Sequence, residues 1–65
     1  MKVMVNNQEV ETSYSVLQEF IQSLDVSIDG IAVAVNNRLV QRVHWDTFVL
    51  QENDNIVIIK AACGG

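Results

Sequence analysis

Four consecutive β-branched residues, Ile56-Val57-Ile58-Ile59, constrain this chain more than any other stretch. Such a run suits a buried strand in the middle of a sheet. A chain of 65 residues has room for one domain only, so the remaining residues must supply that strand's neighbours. After Lys60 the character changes: Ala61-Ala62-Cys63 are small, and Gly64-Gly65 follow. Paired glycines have no Cβ to fix the backbone or to pack, so they add nothing to a core and cost entropy to order. What they present is an α-carboxylate on a thin, bare stalk. Five extended residues at about 3.3 Å each reach roughly 16 Å, enough to thread that carboxylate into the active site of another protein. The expected division is a folded part, residues 1–60, and a flexible tail, residues 61–65. The Gly65 carboxyl is then the functional group, and Ala62, Cys63 and Gly64 form the stem that enters the partner.

A chain this short hides only about 60% of its unfolded surface on folding. Its hydrophobic share of 49% is generous for that size, and its single cysteine leaves no internal disulfide to compensate. One cysteine, no signal-like apolar start and no long apolar segment point to a reduced, cytoplasmic, soluble protein. The net charge of −4 argues against nucleic acid and anionic membrane as partners, since both favour basic surfaces. Solubility and steering toward a basic partner both account for that acidity.

Taken in order, Lys2-Val3-Met4-Val5 alternates as a strand, Asn6-Asn7 supplies a turn, and Glu9-Val10-Glu11-Thr12 reads as the returning strand. Ser15 stands three residues before Gln18, the spacing of a capping box. Behind it Val16, Leu17, Phe20, Ile21 and Leu24 share one helical face. Asp25 to Gly30 reads as a loop. Ile31 to Val35 is a third strand, Asn36-Asn37 a second turn, and Arg38-Leu39-Val40 a short fourth strand. Gln41 to Leu50 is irregular or briefly helical, with Val43, Trp45, Phe48 and Leu50 as pins onto the core. Asn53-Asp54-Asn55 is a turn before the final strand, Ile56 to Lys60. The result is an α+β roll of order β-β-α-β-β-β, one helix on a mixed sheet of four to five strands.

One helix covers one face of a sheet, so the other should be polar if it meets only water. The period of two sends Val3, Val5, Val33, Val35, Ile56 and Ile58 toward the helix. Met4, Ala32, Ala34, Val57 and Ile59 are left on the far face as an apolar patch beside the root of the tail, and such patches mark interaction surfaces. The alternatives are a sheet facing the other way, or Trp45 and its loop folded over the patch.

A β-β-α-β roll whose last strand runs into Gly-Gly resembles the ubiquitin-like β-grasp family, and within it the ThiS sulfur carriers of thiamine biosynthesis. The similarity covers nearly the whole chain: Val3-Met4-Val5-Asn6-Asn7, the helix with Ser15 and Leu17, and Ala32-Val33-Ala34-Val35-Asn36. Its most specific part is Val40-x-Arg42-x-x-Trp45 followed by Leu50, Asp54, Ile56 and Gly64-Gly65. The sequence departs from the family at Gln41, where proline is frequent, and at Asn53, where glycine is frequent. It departs again at Ala62-Cys63, where glycine or an apolar residue is commoner.

The resemblance implies a carrier that binds no cofactor and performs no catalysis itself. A ThiF-type adenylyltransferase would use ATP and Mg²⁺ to adenylate Gly65. Sulfur drawn from a cysteine desulfurase would convert the acyl-adenylate to a thiocarboxylate, and a ThiG-type thiazole synthase would take that sulfur. The patch Met4, Ala32, Ala34, Val57 and Ile59 would dock the enzyme that receives the tail. A carrier for molybdopterin or another pathway, a ubiquitin-like protein modifier and a plain interaction domain are the competing readings. The residues hold no phosphate-cradling loop, no metal-ligand spacing and no nucleophile–base arrangement. Cys63 is either a tolerated small residue or a relay thiol, His44 reads as a loop residue, Trp45 as a plug under the irregular segment, and Arg42 as an internal ion-pair partner or a contact for another protein.

Overall fold

The two Asn-Asn pairs close hairpins of the same kind. Between β1 (Lys2–Val5) and β2 (Gln8–Glu11), Asn6 and Asn7 have φ of 50° and 69°; between β3 (Ile31–Val35) and β4 (Arg38–Val40), Asn36 and Asn37 have φ of 54° and 70°. Positive φ at both central residues is the type I′ turn, whose twist matches that of the strands it joins. Asn enters this region more readily than other residues with a side chain. The two-residue loop starts β2 at Gln8, one residue before the alternation suggested.

The computed structural model describes residues 1–24 and 30–60. The proposed tail, residues 61–65, and all of the expected 25–30 loop except Gly30 lie outside that range. Helix α1 (Leu17–Ser23) follows the first hairpin, a 3-10 turn spans Arg42–His44, and β5 (Asn55–Lys60) closes the order. The sheet runs β2-β1-β5-β3-β4, so β5 is central as its β-branched run requires. It lies parallel to β1 and antiparallel to β3, which makes the sheet mixed.

The core lies between the sheet and α1. Val3, Val33, Val35, Val40 and Ile56 meet Leu17, Phe20 and Ile21, with Trp45 and Leu50 closing one end. Val5 and Ile58, partly buried, pack against the same cluster. Trp45 is 2% exposed, and its indole N–H donates to the Val40 carbonyl at 2.9 Å. That bond satisfies the one polar atom of a large apolar side chain and ties the 3-10 segment to β4.

Two local expectations fail. The capping box does not form: the N-cap is Val16, extended at φ −112° and ψ 132°, with no side-chain cap. Val16 instead bridges Val49, and the Ser15 carbonyl accepts the Leu50 N–H at 2.8 Å. The unpaired N–H groups of the first helical turn donate to main chain from the irregular segment, Leu17 to Phe48 at 2.9 Å and Gln18 to Trp45 at 3.1 Å. These tertiary bonds do the work of a cap, and they give a seven-residue helix, too short to stand alone, its starting point. Val43 does not pin the core. It is 73% exposed while Trp45, Phe48 and Leu50 pack inward, because an irregular segment has no period from which to read a face.

Candidate functional site

Pairing across the sheet determines which side chains share its far face. Ala32 lies opposite Ile59 and Ala34 opposite Val57 on β3 and β5, while Met4 pairs with Asn55 on β1 and β5. All five expected patch residues therefore lie together, on the face away from α1. Four are half-buried, and Ile59 is 55% exposed. Trp45 does not fold over them: it is buried in the core, and its carbonyl accepts the Gln18 N–H on the helix side.

The structure adds a residue that the sequence reading missed. Leu39 pairs with Ala34, so it shares the far face, and it is 69% exposed. It carries the apolar surface from β5 across β3 to the edge strand β4. The register of the Asn36-Asn37 hairpin, a two-residue loop that sets Val35 against Arg38 and so Ala34 against Leu39, was the signal that could have found it. On the opposite edge the face turns acidic: Glu9 pairs with Met4 and Glu11 with Lys2. The Lys2 ammonium bonds Glu9 at 2.9 Å, which raises its pKa above the ordinary 10.5; burial opposes the rise slightly, and Glu52 and Glu11 add attraction. The Met1 ammonium bonds Glu11 at 2.9 Å.

Strand β5 carries the face up to the last described residue. Its outward residues Val57 and Ile59 sit in the patch, and Lys60, paired with Ile31, is the last described residue before Ala61. Ala62, Cys63, Gly64 and Gly65 lie outside the described residues. Arg42 and His44 are exposed on the 3-10 turn. Among the described residues no group of three or more His, Cys, Asp or Glu side chains is arranged to hold a metal ion, and no helix is long and apolar enough to cross a membrane.

A mixed five-stranded sheet wrapped on one helix, with a central last strand leading to the end of the chain, is the ubiquitin-like β-grasp fold. The chain belongs to the ThiS family, whose model matches residues 2–65. The sulfur carrier protein ThiS of Escherichia coli (strain K12) is 27% identical over 66 residues, an alignment spanning 100% of both chains. Two solved structures from Geobacter metallireducens share the fold. The crystal structure of a thiamine biosynthesis protein (ThiS) superposes with a TM-score of 0.86 at 19% identity, covering 100% of both chains. The solution structure of a thiamine biosynthesis protein superposes with a TM-score of 0.78 at 22% identity, covering 100% of this chain and 88% of the other.

Proposed function

We propose that this protein is a sulfur carrier of thiamine biosynthesis, loaded at the Gly65 carboxyl and unloaded by the enzyme that forms the thiazole ring. The family match across residues 2–65, which takes in Gly64 and Gly65, carries this reading. A carboxylate is a poor electrophile because its oxygen is a poor leaving group. Attack by the carboxylate on the α-phosphate of ATP, in a ThiF-type adenylyltransferase supplied with Mg²⁺, releases pyrophosphate and leaves an acyl-adenylate. A persulfide fed by a cysteine desulfurase then displaces AMP to give an acyl disulfide; thiols cleave its S–S bond, ending as a disulfide themselves, and the thiocarboxylate released delivers sulfur to a ThiG-type thiazole synthase. The carrier's part is to bind and present. Met4, Ala32, Ala34, Val57 and Ile59, extended by Leu39, form the docking face, and Ala62, Cys63 and Gly64 form the narrow stem. The placement of the face on the strand that leads to Gly65 supports this division of labour.

Intact mass measured after incubation with the cognate adenylating enzyme, ATP, Mg²⁺ and a sulfur source tests the proposal. Exchange of one oxygen for sulfur is the expected result. Isopeptide conjugates to other proteins would mean a modifier, and an unchanged mass would mean an interaction domain. Deleting Gly65, or adding one residue after it, should abolish the exchange and leave the melting temperature in place.

A further inference from the structure

We propose that Asn6 is a positioning residue for the C-terminal segment, pinning β5 near the point where it leaves the sheet. The inference rests on the carrier reading above and concerns how the strand that precedes the tail is held. The parallel pairing of β1 with β5 covers Met4↔Asn55 and Val5↔Ile56, and the Asn6 N–H then donates to the Ile56 carbonyl at 2.9 Å. A strand running straight on would next accept the Ile58 N–H with the main-chain carbonyl of residue 6. Asn6 has φ of 50° and turns away into the hairpin. Its side-chain carbonyl takes over, and Oδ1 accepts the Ile58 N–H at 2.9 Å, across 52 residues of sequence. An Asn side chain can stand in for the main chain in this way. The β1 side of β5 is thereby held as far as Ile58, two residues before the strand ends at Lys60.

Asn36 provides an internal reference. It occupies the same place in the second turn at φ 54°, donates its N–H to the Asn55 carbonyl at 2.8 Å and accepts the Asn55 N–H on Oδ1 at 2.9 Å. Its amide Nδ2 also donates to Asp54 at 2.9 Å. The same device therefore holds β5 at its first residue, Asn55, and again at Ile58, and only the Ile58 contact lies toward Gly65. A partner that grips Val57 and Ile59 while taking the tail must meet two features at a set separation. Slack between them lowers the fraction of encounters that are productive.

Glycine accepts positive φ without strain, so Asn6→Gly and Asn36→Gly remove the acceptor and keep the turn. The test measures amide hydrogen exchange at Ile58 and pyrophosphate release by the cognate adenylating enzyme, both on the full chain. Asn6→Gly should speed Ile58 exchange about fivefold or more, the loss of one hydrogen bond. It should raise KM for the carrier about three- to tenfold while kcat stays within about twofold. Asn6→Asp, which keeps an acceptor oxygen, should restore both. Asn36→Gly should lower the melting temperature at least as much as Asn6→Gly and leave KM unchanged. Unchanged KM in Asn6→Gly, or an equal rise in Asn36→Gly, would reduce Asn6 to a structural role. A wild-type chain that is never adenylated would overturn the carrier reading and this inference with it, a result distinct from a reactive wild type with an indifferent Asn6.

Discussion

Two isoleucines on one strand allow the proposed docking face to be tested apart from the fold. Ile56 and Ile59 are three residues apart on β5, so they face opposite ways: Ile56 is fully buried under the helix, and Ile59 is 55% exposed on the far face. Fully burying an isoleucine side chain contributes about 1.5–3 kcal/mol. A little over half of Ile59 is left for a partner to cover, so its contact should contribute about 1–1.5 kcal/mol, on the order of tenfold in Kd. Ile59→Asp removes that contact and adds a carboxylate to be desolvated, which deepens the loss. Its cost to folding combines strand propensity with the part of Ile59 already buried, about 1–2 kcal/mol, a fall of about 4–16 °C in Tm for a domain of this size. Ile56→Asp instead buries a charge without a partner, against a total stability of roughly 3–10 kcal/mol for a chain this long, and should unfold the protein. Titration calorimetry against the adenylating enzyme, with thermal melts of both variants, reads the two effects separately. Wild-type affinity in a folded Ile59→Asp protein would refute the docking face; a folded Ile56→Asp protein would refute the assignment of faces.

Three further outcomes follow from the contacts described. Trp45→Phe leaves the buried Val40 carbonyl without its indole donor and should cost about 1–3 kcal/mol, read as a lower urea midpoint; an unchanged midpoint would mean that water replaces the bond. Phe20→Ala empties the largest fully buried position and should cost about 3–5 kcal/mol, enough to populate the unfolded state at 25 °C, which circular dichroism would register as lost helix and sheet signal. The raised pKa of Lys2 means that its attraction to Glu9 is fully present at neutral pH and is lost as pH climbs above 10.5 through the raised value. The difference in urea midpoint between wild type and Lys2→Gln, small because the pair is exposed, should shrink over that range, and a difference that persisted would assign it to something other than charge.

Local chemistry made much of this fold legible. Alternation in Val3-Met4-Val5 and in Ile31 to Val35 assigned the two faces of the sheet, since successive strand residues point opposite ways. Asn-Asn at residues 6–7 and 36–37 marked both hairpins, and the spacing of Leu17, Phe20 and Ile21 marked the buried side of the helix. The cap failed where a distant segment overrode a local signal, and Val43 failed because an irregular segment has no period. Ser15 and Gln18 carry the spacing of a cap, yet main-chain carbonyls at Trp45 and Phe48 receive the helix's first donors.

The sequence by itself determined the element order, the turns and the inward and outward sides of β1, β3 and β5, because each depends on residues within a few positions of one another. Tertiary structure alone decided the strand order β2-β1-β5-β3-β4, the spread of the far face to Leu39, and the bond from Asn6 to Ile58. Those features join segments remote in sequence. The strand order is selected only when the whole chain buries its apolar faces at once, which no local pattern can encode.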